Sequence, residues 1–217
     1  MVALQVKQLR VPEGQTIEIQ DVSWSELEEI LQDLGENRNT RIAYSDGVLS
    51  IVSPLPAHEI DKVCIGRCVE VLLDELERDY ISYGSTTFKN EKMLKAVEPD
   101  DCFYLTYADR MAGKLRIDLD IDPPPELAIE VDLTSKTQLE AYKGLGVAEL
   151  WRYDQGCLRI DCLEAGEYVE KYESPLFPGW PIKEAVGRYV RKARTSNHRK
   201  AKKEFRQWVL EQIATAG

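Results

Sequence analysis

Apolar and polar positions alternate along this chain with two different periods. Leu27, Ile30, Leu31 and Leu34 recur at helical spacing, with Ser23 or Ser25 as a cap and Gly35 as a stop. Ile42 and Tyr44 before Asp46-Gly47, and Val48, Ser50 and Val52 after it, follow a two-residue period. Asp-Gly between two such runs is a strong hairpin signal. A long helix follows in "SPLPAHEIDKVCIGRCVEVLLDELERD", where Ile60, Val63, Cys64, Arg67, Cys68, Val71, Leu72 and Glu75 keep the 3.6 period. Its apolar face is broad enough for a central position. "YISYGSTTFKN" reads as one short strand with a polar end, and "KAVEPDDCFYLTY" as another that starts at Pro99. "AGKLRIDLDIDPPP" reads as a loop or an edge segment. The strand "ELAIEV" is apolar almost throughout, the pattern of a strand covered on both faces. A helix over "SKTQLEAYKGLG" comes next, then strands in "AELWRYD", "CLRIDCL" and "GEYVEKYESP", and a loop "LFPGWPI" with buried aromatics. From Lys183 the chain is helical, with Val186, Tyr189 and Val190 on one side and Phe205, Trp208, Val209 and Ile213 later. No internal repeat or low-complexity segment is present. The order of elements predicts a mixed α/β fold.

Composition narrows this picture. The 217 residues suit one main domain, expected over residues 1–182, with a basic helical extension over 183–217. The apolar runs are far too short to span a bilayer, and no signal peptide is expected in an N-terminus punctuated by polar residues. Five cysteines form an odd set with no CxxC pair; Cys64 and Cys68, one helical turn apart, read as packed thiols. A reduced, cytoplasmic protein is expected. Two histidines, His58 and His198, argue against a His-rich zinc site. The net charge of −10 opposes whole-surface attraction to nucleic acid, yet basic residues heavily outnumber acids between Lys183 and Arg206.

One strand carries unexpected chemistry. In "PPELAIEVDLTSKT", Glu130 and Asp132 share a face of an apolar strand. A buried, unpaired carboxylate costs several kcal/mol, so Glu130 requires a cation or a donor. Asp100 follows Pro99 at the head of a strand, and Glu59 sits in the first turn of the long helix. Carboxylates that converge with no Lys or Arg between them suit Mg²⁺ or Mn²⁺. Taken singly, Asp100 also fits a plain turn, and Glu59 a carboxylate favoured by the helix dipole. The chain has no GxSxG, no GxxxxGK[ST] and no GxGxxG after a strand.

Pro99-Asp100 followed by Glu130 in "ELAIEV" resembles the metal-binding signature of the PD-(D/E)XK nuclease superfamily. "DGVLSIVSPLPAHE", "EPDDCFY", "PPELAIEVDLTSKT" and "YKGLGVAELWRYD", in that order, resemble the Uma-two family of restriction-endonuclease-like proteins, over Ser23 to Ile182. The resemblance implies a restriction-endonuclease core, a mixed sheet flanked by helices. It implies Asp100 and Glu130 as catalytic acids and metal ligands, with Glu59 as a third acid and the Val131 carbonyl as a further ligand. The superfamily pattern places a lysine two residues after the strand glutamate; here that position is Asp132, expected as a supporting residue, either an extra metal ligand or a bystander. The lysine role would then pass to the next helix, with Lys136 ahead of Lys143. Gln138 and Tyr142 resemble a Q-x-x-x-Y helix motif of some nucleases in the superfamily. The activity implied is Mg²⁺- or Mn²⁺-assisted hydrolysis of DNA phosphodiesters. The alternative is a DNA- or protein-binding module that kept the fold and lost cleavage. Arg191, Lys192, Arg194 and Lys200 are the expected phosphate contacts; a basic tail could equally pair with the acidic body or with a second subunit in a homodimer.

Overall fold

A computed structural model describes residues 8–35, 38–131 and 136–216. Ser23 caps α1 (Trp24–Leu34), and its capping box closes through Glu26. Strands β2 (Arg41–Ser45) and β3 (Val48–Val52) form the expected hairpin. Asp46 and Gly47 both take positive φ, as a tight two-residue turn of matching twist requires. β1 (Thr16–Ile19), which the residue pattern does not announce, pairs with β3. The long helix is α2 (Pro56–Glu75), opened by a proline in its first turn.

Two expected strands are each divided between two sheets. The first becomes β4 (Ile81–Ser82) and β5 (Phe88–Asn90), and the second becomes β6 (Lys95–Val97) and β7 (Asp101–Tyr104). β5 and β6 join a five-stranded sheet of order β1-β3-β2-β6-β5, whereas β4 and β7 join the other sheet. The chain crosses between them at Glu98–Asp100. The buried Glu98 carboxylate anchors that crossing, accepting from the Ile42 N–H (3.1 Å), the Thr87 hydroxyl and Arg38. Pro99 offers no N–H there, which suits a break in pairing.

After the short α3 (Ala108–Met111) come β8 (Leu127–Val131), α4 (Lys136–Leu145), β9 (Glu149–Asp154), β10 (Cys157–Glu164) and β11 (Glu167–Lys171). They complete a six-stranded sheet of order β11-β10-β9-β8-β7-β4, in which only the β8–β9 pair is parallel. The C-terminal helix breaks in two, α5 (Ile182–Thr195) and α6 (His198–Ala216). Ser196 bonds back to the Lys192 carbonyl, and the Asn197 side chain accepts from the Lys200 N–H, capping α6.

The layers follow from the faces. Leu127, Ile129 and Val131 of β8 pack with α2, α5 and α6 in one core. On the opposite face Ala128 meets Ala141, Tyr142 and Leu145 of α4, together with Ala43 and Val97 of the five-stranded sheet. α4 is therefore wedged between the two sheets, and β8 is covered on both faces as its composition predicts. α1 closes the far side of the five-stranded sheet. Cys64 and Cys68 pack in the main core, and all five cysteines are free thiols. No helix among the described residues is long and apolar enough to cross a membrane.

Candidate functional site

The site begins with strand register. β7 pairs antiparallel with β8, Asp101 opposite Ile129, so Asp100 at the head of β7 arrives beside Glu130. The backbone fixes it there. Asp100 N–H donates to the Ile129 carbonyl (3.1 Å), and Val131 N–H donates to Asp100 Oδ2 (2.9 Å). Glu130 points to the α4 side of the sheet, where the Tyr142 hydroxyl donates to its Oε1. The two acids are only 6% and 4% exposed. Burial, and then the adjacent Asp100 carboxylate, push the Glu130 carboxyl well above its ordinary range; the Tyr142 hydroxyl opposes this. Burial also raises Asp100, against the pull of the Val131 N–H and of the Arg41 and Lys62 charges. Two acids in contact inside a protein favour a shared proton or a bound cation over two bare charges.

Both acids open into a cavity of about 220 Å³, lined also by Thr16, Arg41, Ser53, His58, Val131 and Gln138. The ends of both sheets, the start of α2 and the first turn of α4 thus meet at one hollow. Arg41 opens β2 and reaches across. Its Nε lies 3.8 Å from Asp100 Oδ1, and its Nη2 lies 3.5 Å from Glu59 Oε1. Lys62 Nζ holds the other oxygen of Glu59 at 3.2 Å. The expectation of converging carboxylates with no cation between them is therefore corrected for Glu59: Arg41 stands between it and Asp100. Glu59 is 46% exposed at its side chain and does not line the cavity.

Among the described residues, no group of three or more His, Cys, Asp or Glu side chains is arranged to hold a metal ion. The donor set at the cavity is two carboxylates and backbone, with Gln138 nearby. That set is compatible with Mg²⁺, which is commonly held by one or two carboxylates and keeps several waters.

The family model of Uma2, described as "Putative restriction endonuclease", matches residues 24–185. The chain belongs to the Uma2 family. The match ends inside α5. Among solved structures, the Uma2 chain resembles one described as "a putative nuclease belonging to DUF820 from Anabaena variabilis ATCC 29413". The two are 15% identical, with 78% of this chain and 99% of that one covered, at a TM-score of 0.50. They share a mixed α/β fold. No curated protein matches.

Other expected site residues of the Uma2 chain fall into three groups. Val131 and the buried Gln138 line the cavity, and Tyr142 bonds to Glu130. Lys136 is exposed at the start of α4 and is not among the lining residues, while Lys143 turns away to Glu140 (2.8 Å) and Glu167 (3.3 Å). Asp132 lies outside the described residues. Of the basic set, Arg191 donates to the Gly156 carbonyl (2.6 Å), Lys192 pairs with Glu204, and Arg194 forms a fork with the buried Asp61. Lys200 is exposed. Residue reasoning passed over Arg41, Ser53 and His58. For Arg41 a signal existed: a strand acid that demands a cation can be answered by a residue distant in sequence.

Proposed function

We propose that this protein hydrolyses phosphodiester bonds of DNA with the help of a divalent cation. One observation carries the reading: two buried carboxylates, Asp100 and Glu130, in contact at the wall of a cavity. Such a pair is costly without a compensating positive charge. Asp100, Glu130 and the Val131 carbonyl would hold Mg²⁺ or Mn²⁺. Bound there, the ion supplies an acidified water and draws charge from a phosphate.

The chain's own residues set the rest. Tyr142 fixes the rotamer of Glu130 through its hydroxyl. The Gln138 amide, at the cavity wall, orients a water for in-line attack. Lys136 on the outer turn of α4 adds positive charge toward the incoming strand. Lys200 is exposed on α6, where it contacts the duplex backbone, whereas Arg191, Lys192 and Arg194, tied to the Gly156 carbonyl, Glu204 and Asp61, contribute field rather than free hands.

The test is plasmid nicking with Mg²⁺ or Mn²⁺, alongside calorimetric metal titration, for wild type and Glu130→Gln. The variant is expected to stay folded, to lose metal binding and to lose nicking by at least about 100-fold. Wild-type protein that binds neither ion would overturn the proposal.

A further inference from the structure

The deepest unexplained cation at the cavity is Arg41. Its side chain is 17% exposed, yet it makes no close pair. Nε is buried and, among the described residues, donates to nothing. The approaches to Asp100 at 3.8 Å and Glu59 at 3.5 Å exceed a well-formed N–H···O bond. Arg194 offers the contrast within the same molecule: its Nε donates to Asp61 at 2.6 Å, and a second nitrogen completes the fork. Arg194 is locked, whereas Arg41 is a counter-charge whose donors are largely unspent.

The location gives those donors a use. Arg41 lines the hollow that Asp100 and Glu130 open into, and it comes from the sheet opposite the one that carries Glu130. The position two residues beyond Glu130 holds Asp132, so β8 brings no cation there. A planar guanidinium matches two oxygens of a phosphate as a lysine cannot. A divalent ion on Asp100 would also remove the electrostatic reason for Arg41 to face that acid.

We propose that Arg41 supplies the positive charge absent from the strand: it neutralises Asp100 and Glu59 in the metal-free protein and grips a phosphate of the bound strand once a divalent cation occupies the acids. This rests on the nuclease reading above. Arg41 and the metal then compete for one carboxylate, and Arg41 and the metal cooperate on one substrate.

The experiment compares full-length wild type, Arg41→Gln and Arg41→Lys in two titrations: Mn²⁺ by calorimetry, and a short DNA duplex in Ca²⁺. Removing a unit charge beside the acids should tighten Mn²⁺ binding about three- to tenfold in Arg41→Gln. The same variant should bind duplex about fivefold more weakly. Arg41→Lys keeps the charge, so its Mn²⁺ affinity should stay within about twofold of wild type while duplex affinity still falls, because the fork is lost. Unchanged affinities in Arg41→Gln overturn the proposal. So does weakened Mn²⁺ binding, which would make Arg41 a structural support for Asp100. If Arg41→Gln does not fold, Arg41→Lys decides alone, and wild-type duplex affinity in that variant overturns the proposal. Wild type that binds no Mn²⁺ fails the nuclease reading itself and takes this inference with it; failure confined to the Arg41 variants leaves that reading standing.

Discussion

Glu149 is another buried acid of the six-stranded sheet, and it does not line the cavity. Register places it opposite Leu127 at the start of β8, so it lies about 10 Å along the strand from Glu130. Its Oε1 accepts from the Trp151 indole and the Ser174 hydroxyl, and its Oε2 has no partner among the described residues. Burial raises its carboxyl above the ordinary range despite those donors. The sign follows. Below the ordinary carboxylate range both folded and unfolded chains hold the proton, and the folded state keeps its full advantage. As pH rises through the raised value, the folded chain must give up a proton it binds more tightly, and stability falls. Glu149→Gln has no proton to lose. Its melting temperature should therefore fall less than that of wild type between pH 5 and 8, by about 2–4 °C; parallel melting curves would show that Glu149 does not titrate in this range. At this scale the sequence was partly legible. Glu130 declared itself, because an acid inside an apolar strand needs a reason. The need for a cation was legible, but not that Arg41 would meet it, because an arginine at a strand start normally means only a solvated rim.

At the scale of elements, Asp61 on α2 and Arg194 on α5 form a strap. The Asp61 side chain is 1% exposed and the Arg194 side chain 45%. Removing the guanidinium would leave a buried carboxylate short of its forked partner. Arg194→Ala should cost about 2 kcal/mol, below the range for fully buried pairs because the arginine itself is half in water. Urea unfolding measures this, and Asp61→Asn in the Arg194→Ala background should recover part of the loss. An unchanged midpoint would reduce the pair to a surface contact. Local rules served well for several elements: the Ser23 cap and the Asp46-Gly47 turn stand where their chemistry places them. The division of β4 from β5 and of β6 from β7 was not legible. A two-residue period says that a segment is extended; it does not say which of two sheets receives it.

Across the whole molecule, charge and packing are distributed differently than the chain order suggests. The segment from Lys183 to Arg206 carries ten Lys or Arg against two acids. Its apolar residues Val186, Val190, Phe205 and Val209 are part of the main core, so both helices dock on the body. Deleting these helices would expose that core, and charge substitution is the cleaner probe. Arg199, Lys200 and Lys203 are all exposed. Their combined replacement by Ala should leave the melting temperature near wild type and lower the magnitude of the log-affinity versus log-salt slope for duplex DNA by about 0.9 per lost phosphate contact. An unchanged slope would free these residues from any role in DNA binding. The apolar spacing announced the helices, whereas the break at Ser196 and Asn197 depends on side-chain bonds to the backbone that compete with helix only locally. The crossing at Glu98–Asp100 has a consequence for the life of the chain. Arg41 and Asp100 are synthesised well before Glu130 and α4, and the hollow exists only when both sheets have closed on that helix. A nascent chain that ends before Glu130 therefore carries Arg41 and Asp100 but neither the second acid nor the hollow.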